Sequence, residues 1–371
     1  MSVAADHSIR CGIVLAAGEG KRLQPLVHRL RGDTLPKQYV SFIGTRSMLE
    51  HTFDRAEQLI DRDRVFTVIG QNHLSYPTVK RQLSGRSKAT VIVQPENKDT
   101  GPGVLLPLMH IYKRYPECTV AVFPSDHFVL EEDLFMSHIS FAFQVVERNP
   151  ALLVLLGMEP NEPEAEYGYV LPHGDGPEET LGLSIRRVSR FVEKPNRNAA
   201  QELMFRGGLW NTMVMVFKIK TLLDIVRNLA PELYGSFDEI LKAIGTPKEK
   251  NKIAEIYQRL KPTNFSTGIL EMLPVRHPSC LSVLSVRDVL WSDWGLPRSI
   301  ASVLRKIGYH RGPHGEDAVA DNRLDKIFND GAEPRTEIWE RNETTGAGKI
   351  QVRREGFKRF PQPPALTSPT R

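Results

Sequence analysis

Hydrophobic and polar positions follow two alternating patterns over most of the chain. Short, uninterrupted apolar runs are typical of buried strands in a parallel sheet, and longer segments with apolar residues at helical spacing are typical of amphipathic helices. In the first half, strand-like runs cover residues 11–17, 65–69, 90–94, 119–123 and 151–156, and helix-like segments cover 47–60, 104–112 and 133–146. This rhythm predicts an α/β fold in which helices flank a parallel sheet.

The second half of the chain mixes the two patterns less regularly. It predicts strands at 167–171, 184–192, 212–217 and 281–286, and helices at 202–205, 222–229, 237–244, 252–260 and 296–307. We interpret this half as the substrate-binding part of one mixed α/β domain that extends from residue 10 to residue 308. Residues 309–371 are rich in Gly, Pro, Arg, Glu and Thr without an amphipathic period, which predicts a mostly disordered tail.

Composition and charge narrow the classes of function. The net charge of +5 suits an anionic small-molecule substrate, but much of the excess lies in the tail and does not predict a nucleic-acid partner. No apolar run approaches the roughly 18 residues of a membrane helix, and the N-terminus lacks the apolar core of a signal peptide. The three cysteines (Cys11, Cys118, Cys280) are not at metal-ligand spacing. We therefore predict a cytoplasmic protein without a membrane partner.

A glycine-containing loop follows the first predicted strand and is the strongest chemical motif. Gly18 and Gly20 let the backbone turn its N–H groups towards phosphate oxygens, Arg22 offers bidentate donors, and Lys37 offers a compact positive charge. The P-loop pattern fails because Arg22 follows the lysine, and the dinucleotide fingerprint fails because Leu23 occupies its third glycine position. The competing explanation is a tight turn between strand and helix with solvated basic residues.

Two aspartates are candidates for binding one metal ion. Asp126 follows a buried strand, at the edge where open α/β sheets place their ligands, and Asp293 lies in the cluster Trp291–Gly295. A Mg²⁺ ion on a nucleoside triphosphate takes one or two carboxylates and completes its shell with phosphates and water. A helix N-cap or a turn is the alternative role for each aspartate. We interpret His127 as a structural neighbour rather than a base.

These motifs together resemble a known family. The segment from Leu15 with its two glycines, Arg22 and the following Pro36-Lys37-Gln38 resembles the signature of sugar-nucleotide pyrophosphorylases, and the aromatic Tyr39 after it is similar to mannose-1-phosphate guanylyltransferases. The resemblance implies a Rossmann-like nucleotide-diphospho-sugar transferase fold with a mixed, mostly parallel sheet. It covers residues 12–307 and excludes the tail.

The resemblance also implies roles for these residues. Gly18 and Gly20 would cradle the nucleotide phosphates, with Ala16 and Ala17 in the same nucleotide-binding segment. The catalytic residues would be Arg22, Lys37 and Asp126, and the metal ligands Asp126 and Asp293. Three features depart from the family: Gln24 replaces a common Trp, residues 27–34 form a longer stretch that leaves the resting position of Lys37 open, and Trp294 replaces a Val beside Asp293.

A loop after the third predicted strand resembles the guanine-binding segment of the same family. The resemblance implies that Gln94, Asn97 and Thr100 bind the nucleotide, through backbone and amide groups that read the base edge. Lys98-Asp99 replaces Arg-Gly, and Gly103 replaces Ala, so a side-chain contact at those positions is open. The alternative is an ordinary Asn/Gly/Pro loop that caps a helix.

A third set of residues resembles the family's sugar-phosphate site. By that resemblance Gly168 lets the backbone approach the sugar ring, Glu193 accepts from hydroxyl groups, Lys194 holds the phosphate and Asn211 binds a hydroxyl. The alternative is a solvated charge pair at a strand end. Ser266 stands where the family has an aspartate, so any contact from that carboxylate is lost.

The sequence therefore predicts a sugar-1-phosphate nucleotidylyltransferase that depends on Mg²⁺. The expected substrates are GTP and mannose-1-phosphate, and the expected products are GDP-mannose and pyrophosphate. The alternatives are a related enzyme with another base or sugar, a non-catalytic sensor of nucleotide-sugars, and a nucleic-acid or membrane-surface protein acting through its basic tail. A homo-oligomer is also left open.

Overall fold

The computed structural model describes residues 9–174, 178–180 and 183–307, so the predicted tail at 309–371 lies outside the described residues. A ten-stranded sheet forms the centre of the molecule. Its strands are β1 (Arg10–Ala16), β2 (Val65–Gly70), β3 (Val91–Gln94), β4 (Thr119–Pro124), β6 (Leu153–Met158), β7 (Tyr169–Pro172), β8 (Glu178–Thr180), β9 (Leu183–Val192), β10 (Leu209–Lys218) and β11 (Leu281–Val286). A separate two-stranded sheet pairs β5 (Phe128–Val129) with β12 (Trp291–Ser292).

The order of strands divides the large sheet into two halves. It runs β3-β2-β1-β4-β10-β6-β11-β9-β7, with β8 paired to β9. The neighbours from β3 to β4 are parallel, and so are β6 and β11. The strand β10 is antiparallel to β4 and to β6, and β9 and β7 continue antiparallel. The predicted mixed α/β sheet is confirmed, but among the described strands it is not mostly parallel: four pairings are parallel and six are antiparallel, because β10 and β9 run antiparallel to all their neighbours.

Helices cover both faces of this sheet. They are α1 (Gln24–Arg31), α2 (Met48–Glu57), α3 (Pro77–Leu83), α4 (Thr100–Arg114), α5 (Glu132–Arg148), α6 (Arg197–Phe205), α7 (Ile219–Leu229), α8 (Pro231–Ala243), α9 (Glu249–Arg259), α10 (Leu273–Arg276) and α11 (Pro297–Lys306). One core cluster joins one sheet face to apolar residues of α2, α5 and α11, and a second joins the other face to α4, α7 and α8. Burial on both faces explains why the central strands are continuously apolar.

Two helix boundaries differ from the prediction for identifiable reasons. Helix α4 begins at Thr100 rather than after Gly103, because Asp99 accepts from the Thr100 N–H and Pro102 in the first turn has no N–H to leave unpaired. The stretch 27–34, predicted as a long loop, is largely helix α1, which ends at Gly32 with φ of 79°. Glycine adopts this left-handed conformation without steric cost, so it terminates the helix there.

Candidate active site

A cleft of about 590 Å³ opens at the carboxyl ends of the parallel strands. Segments that are far apart in the chain converge on it, as the rule for open α/β sheets requires. Of the residues predicted from the sequence, its walls include Ala17, Gly18, Arg22, Gln94, Asn97, Thr100, Asp126, Lys194 and Asp293. The structure therefore brings the predicted phosphate, base and metal residues to one place.

The loop after β1 is held by Gln38 and Tyr39, to which no role was assigned from the sequence. The Gln38 amide donates to the carbonyl oxygens of Ala16 and Gly18, both at 2.8 Å, and the Tyr39 hydroxyl donates to the Ala16 carbonyl at 3.1 Å. A Cβ atom on Gly18 would meet nothing within 4 Å. Gly18 therefore has open space beside it and lines the cleft.

Gly20 brings the loop against the backbone of Lys37. Its φ is 58°, and a Cβ atom there would lie 3.2 Å from the Lys37 backbone nitrogen. A larger residue would therefore be strained in its own backbone and would push against Lys37. Neither Gly20 nor Ala16 lines the cleft itself, and both support the residues that do.

Lys37 links the two predicted metal aspartates. Its Nζ lies 2.9 Å from Asp126 Oδ2 and donates to the backbone carbonyl of Asp293 at 2.8 Å, and the residue is only 8% exposed. Burial by itself raises the pKa of the Asp126 carboxyl, but the charge of Lys37 and the hydrogen bond from its ammonium group outweigh burial and hold the pKa below its ordinary value. Asp126 is therefore ionised at neutral pH.

His127 is neutral and lies beside the Asp126 carboxylate. Burial lowers the pKa of His127 to about 4, against the opposing charges of Asp126 and Asp293. Trp291 donates from Nε1 to His127 Nδ1 at 3.3 Å, so the proton of the neutral ring sits on Nε2, which lies 3.9 Å from Asp126 Oδ1. A buried imidazole in this state suits a structural neighbour better than a base.

Asp293 is fixed by hydrogen bonds and by the aromatic residue that follows it. Its Oδ1 accepts from the Tyr167 hydroxyl and the Gly295 N–H, both at 2.8 Å. Trp294 stacks on Phe128 with ring centres 4.9 Å apart and is only 2% exposed. The departure at Trp294 thus fills an aromatic pocket behind the loop and leaves the Asp293 carboxylate at the cleft.

These two aspartates fit a cation that arrives with phosphate. Across the described ranges, no group of three or more His, Cys, Asp or Glu side chains is arranged to hold a metal ion. Asp126 and Asp293 both line the cleft, and the Lys37 ammonium group contacts the carboxylate of Asp126 and the backbone carbonyl of Asp293. Two carboxylates are enough for Mg²⁺ when phosphates and water complete its shell.

Gln94 presents an unused polar atom to the cleft. It ends β3 and is 1% exposed, and among the described residues its Oε1 has no hydrogen-bond partner. Buried polar groups are nearly always paired, and the side-chain amide carries both donors and an acceptor. A ligand that supplies a polar edge would satisfy it.

The loop after β3 is tied to a distant segment. Asp99 adopts φ 71° and ψ −175°, a conformation almost restricted to glycine, and its Oδ1 accepts from Asn264 Nδ2 at 3.3 Å as well as from Thr100 N. Asn97 Oδ1 accepts from the Asp99 N–H, and Thr100 Oγ1 accepts from the Phe265 N–H, both at 2.8 Å. The side chains of Asn97 and Thr100 therefore shape the loop.

A second group of predicted residues lies next to the cleft, beside Lys194. A Cβ atom on Gly168 would approach Glu193 Oε2 to 2.7 Å, so a larger residue there would displace the Glu193 carboxylate. The Asn211 N–H donates to the Gly168 carbonyl at 2.8 Å, and Asn211 Oδ1 accepts from the Met213 N–H at 3.1 Å within a bulge of β10. The predicted sugar residues are thus brought together, although Gly168, Glu193 and Asn211 do not line the large cleft itself.

Glu193 sits in an environment that favours its neutral form. Burial raises its pKa, the charges of Glu271 and Asp99 add to the shift, and Lys194 and a hydrogen bond from Ser266 oppose it. Ser266 stands where an aspartate was expected from the family pattern. A carboxylate at that position would face Glu193 directly, so the serine removes a like-charge contact.

Glu166 is a cleft residue that the sequence did not reveal. Its Oε2 lies 2.6 Å from Arg22 Nη1, and both side chains are about half exposed. It lies in a stretch rich in Glu and Pro between β6 and β7, which carries no periodic signal. Arg22 therefore has a carboxylate partner in this structure, as Lys37 has in Asp126.

Comparison with known proteins identifies the family. The family model described as Nucleotidyl transferase matches residues 11–308. The chain belongs to the nucleotidyl transferase family. The resemblance inferred from the glycine loop and the two aspartate motifs is thereby confirmed.

Individual relatives of this nucleotidyl transferase are distant. Xanthan biosynthesis protein XanB of Xanthomonas campestris pv. campestris is 25% identical over 307 residues, which are 82% of this chain and 61% of that protein. Mannose-1-phosphate guanylyltransferase 2 of Escherichia coli O157:H7 is 24% identical over 330 residues, which are 86% of this chain and 65% of that protein. The chain thus spans less than two thirds of the length of these curated relatives.

A solved structure supports the fold. The structure described as mannose-1-phosphate geranyltransferase from Thermus thermophilus superposes with a TM-score of 0.66 at 25% identity, covering 82% of this chain and 81% of that chain. The predicted nucleotide-diphospho-sugar transferase fold is confirmed by this similarity. None of the helices described for this nucleotidyl transferase is both long enough and apolar enough to cross a membrane.

Proposed function

We propose that the protein transfers a nucleotidyl group from a nucleoside triphosphate to a sugar-1-phosphate and releases pyrophosphate. The observation that carries this proposal is the buried Lys37 ammonium group held between the Asp126 carboxylate and the Asp293 carbonyl, with the Lys37 backbone against Gly20 of the loop after β1. Lys37 does not line the cleft itself, but it contacts two aspartates that do, and Arg22 also lines the cleft. Phosphoryl transfer needs such groups more than it needs covalent chemistry.

The chemistry follows from charge and position. A phosphate oxygen of the sugar-1-phosphate attacks the α-phosphorus, and the bond from that phosphorus to the pyrophosphate oxygen breaks. Arg22 and Lys37 would offset the negative charge that develops on the transferred and leaving groups. Mg²⁺ held by Asp126 and Asp293 would neutralise further phosphate charge. The attacking oxygen is already anionic at neutral pH, which agrees with the neutral state of His127.

The preferred substrates in this proposal are GTP and mannose-1-phosphate, giving GDP-mannose in the cytoplasm. The names of the relatives support this choice, since a mannose-1-phosphate guanylyltransferase is among them. The amide oxygen of Gln94, which has no partner among the described residues, supports recognition of a base edge, and the closely placed Gly168, Glu193 and Asn211 support recognition of sugar hydroxyls.

The test is pyrophosphate release by purified protein with Mg²⁺ and a grid of sugar-1-phosphates against GTP, ATP, UTP, CTP and dTTP. The Asp126→Ala variant is the control. We expect release to peak with mannose-1-phosphate and GTP and to disappear in the control. A peak with another pair would correct the substrates and keep the reaction. Binding of nucleotide-sugar without release for any pair would favour a sensor instead.

A further inference from the structure

Lys37 occupies a cage of oxygen atoms. A lysine ammonium group has three donors and no acceptor. Three oxygens surround Lys37 Nζ: Asp126 Oδ2 at 2.9 Å, the Asp293 carbonyl at 2.8 Å and the Trp294 carbonyl at 3.4 Å. One carboxylate with two backbone carbonyls is also the ligand type that hard divalent cations prefer.

The position of Lys37 is built into the fold. Its backbone packs against Gly20, and the next residue, Gln38, is anchored to the loop after β1 by two hydrogen bonds. On the other side, Trp294 has φ of 45° in the left-handed region and stacks on Phe128. The backbone of Lys37 and the turn that supplies the two carbonyl oxygens are therefore each positioned by contacts that do not involve the lysine side chain.

The charges in the cage also balance without a metal ion. Lys37 is the cationic partner of the Asp126 carboxylate at hydrogen-bond distance, with a side chain that is only 9% exposed. Arg22, the other cation expected to bind phosphate, lies against Glu166 instead, with half of its side chain exposed. Only one of the two cations therefore competes for the oxygens of Asp126.

We infer that Lys37 is an internal occupant of the cation position, which holds Asp126 and the 293–294 turn together until nucleotide phosphates bind the lysine and a divalent ion takes its place. This inference rests on the proposed function, which brings phosphates and a divalent ion to the cleft. An ammonium group and a divalent ion cannot both lie against the same carboxylate oxygen without strong like-charge repulsion. A free divalent ion should therefore bind the nucleotide-free protein weakly, and bound nucleotide should strengthen the binding of the ion. By linkage, the bound ion should strengthen the binding of nucleotide by the same factor.

The experiment is a titration of nucleotide-free, full-length protein with Mn²⁺, in which EPR follows the free ion. We expect Lys37→Met to bind Mn²⁺ at least about tenfold more tightly than the unchanged protein, within the usual range of coupling between sites. The matched control is Arg22→Met, because Arg22 is a cation that lines the same cleft without contacting Asp126. The affinity of this variant for Mn²⁺ should stay within about twofold of that of the unchanged protein. The double variant Lys37→Met/Asp126→Asn should lose the gain.

Two outcomes would overturn the inference. Lys37→Met could bind Mn²⁺ no more tightly than the unchanged protein, or Arg22→Met could gain as much, which would indicate a general effect of charge in the cleft.

Thermal melting of Lys37→Met and of Lys37→Gln checks that the fold persists, and anomalous scattering from Mn²⁺-soaked crystals of either variant should place the ion between Asp126 and Asp293. Because no substrate is present, the result is independent of the pyrophosphate assay, and either proposal can fail alone.

Discussion

Gly168 is the single residue on which the predicted sugar pocket depends most directly. Substitution Gly168→Ala would place a Cβ atom 2.7 Å from Glu193 Oε2 and displace that carboxylate. We expect KM for the sugar-1-phosphate to rise by about tenfold or more, since small misplacements of binding groups are costly, while KM for the nucleotide changes little. Steady-state kinetics with each substrate varied in turn would measure this.

The control for this substitution is Gly235→Ala on the exposed side of α8. A Cβ atom there meets nothing within 4 Å, and glycine inside a helix is unfavourable, so this variant should be as active as the unchanged protein and slightly more stable. An equal rise of KM for nucleotide and sugar phosphate in Gly168→Ala would contradict a role confined to the sugar pocket.

Backbone conformation at single residues is what the sequence could not reveal. Asp99, Lys194, Met213 and Trp294 all have positive φ, and the first three line the cleft. In a sequence, glycine is the usual sign of a residue with positive φ. None of these four residues is a glycine, so their conformation could not be predicted. Strained residues concentrate at functional sites because the surrounding structure imposes them, so the information lies in tertiary contacts.

At the scale of elements, helix α4 contains a buried histidine that should make the protein sensitive to acid. His110 is 7% exposed, its Nε2 lies 3.8 Å from Glu249 of α9, and burial lowers its pKa, with Glu249 opposing and Arg114 adding to the shift. The unfolded chain therefore binds a proton near pH 6.5 that the folded protein resists. Stability from this residue is present above that pH and is lost as the pH falls below it.

Substitution His110→Leu should reduce this loss. We expect the free energy of unfolding to fall less between pH 7 and about pH 5 in the variant than in the unchanged protein, because no buried imidazole has to be protonated. Urea denaturation at both pH values measures the difference. The exposed His28→Leu is the control, and an identical fall in all three proteins would refute the assignment.

The prediction of elements succeeded where apolar periodicity was strong and failed where composition obscured it. The buried run at 11–17 corresponds to β1, and Ser47 begins α2 with a complete capping box to Glu50. Helices α1 and α3 were missed because each is short and has only two buried residues. The place of β10 between β4 and β6 could not be read at all, since strand order depends on long-range packing.

At the scale of the whole molecule, every predicted site residue lies between residue 16 and residue 293, and the family match ends at residue 308. A protein truncated after Ile307 should therefore keep its pyrophosphate-releasing activity within about twofold, because the deleted segment supplies none of the candidate groups. Comparison of kcat/KM for the truncated and full-length proteins is the measurement. Complete loss of activity with a preserved melting temperature would instead support a functional tail.

Strand β10 carries the predicted sugar residue Asn211 near its beginning and pairs with β4, the strand that leads to Asp126, near its end. Neighbours bond to it on both sides, with β7 and β6 at one end and β4 and β6 at the other. The ladder between β10 and β6 is interrupted by the bulge between Asn211 and Met215 and resumes beyond it, so the two ends of the strand are held by the pairings on either side of the bulge. One strand would therefore fix the distance between the sugar-binding and nucleotide-binding residues. Any closing movement around the two substrates would come from the surrounding loops.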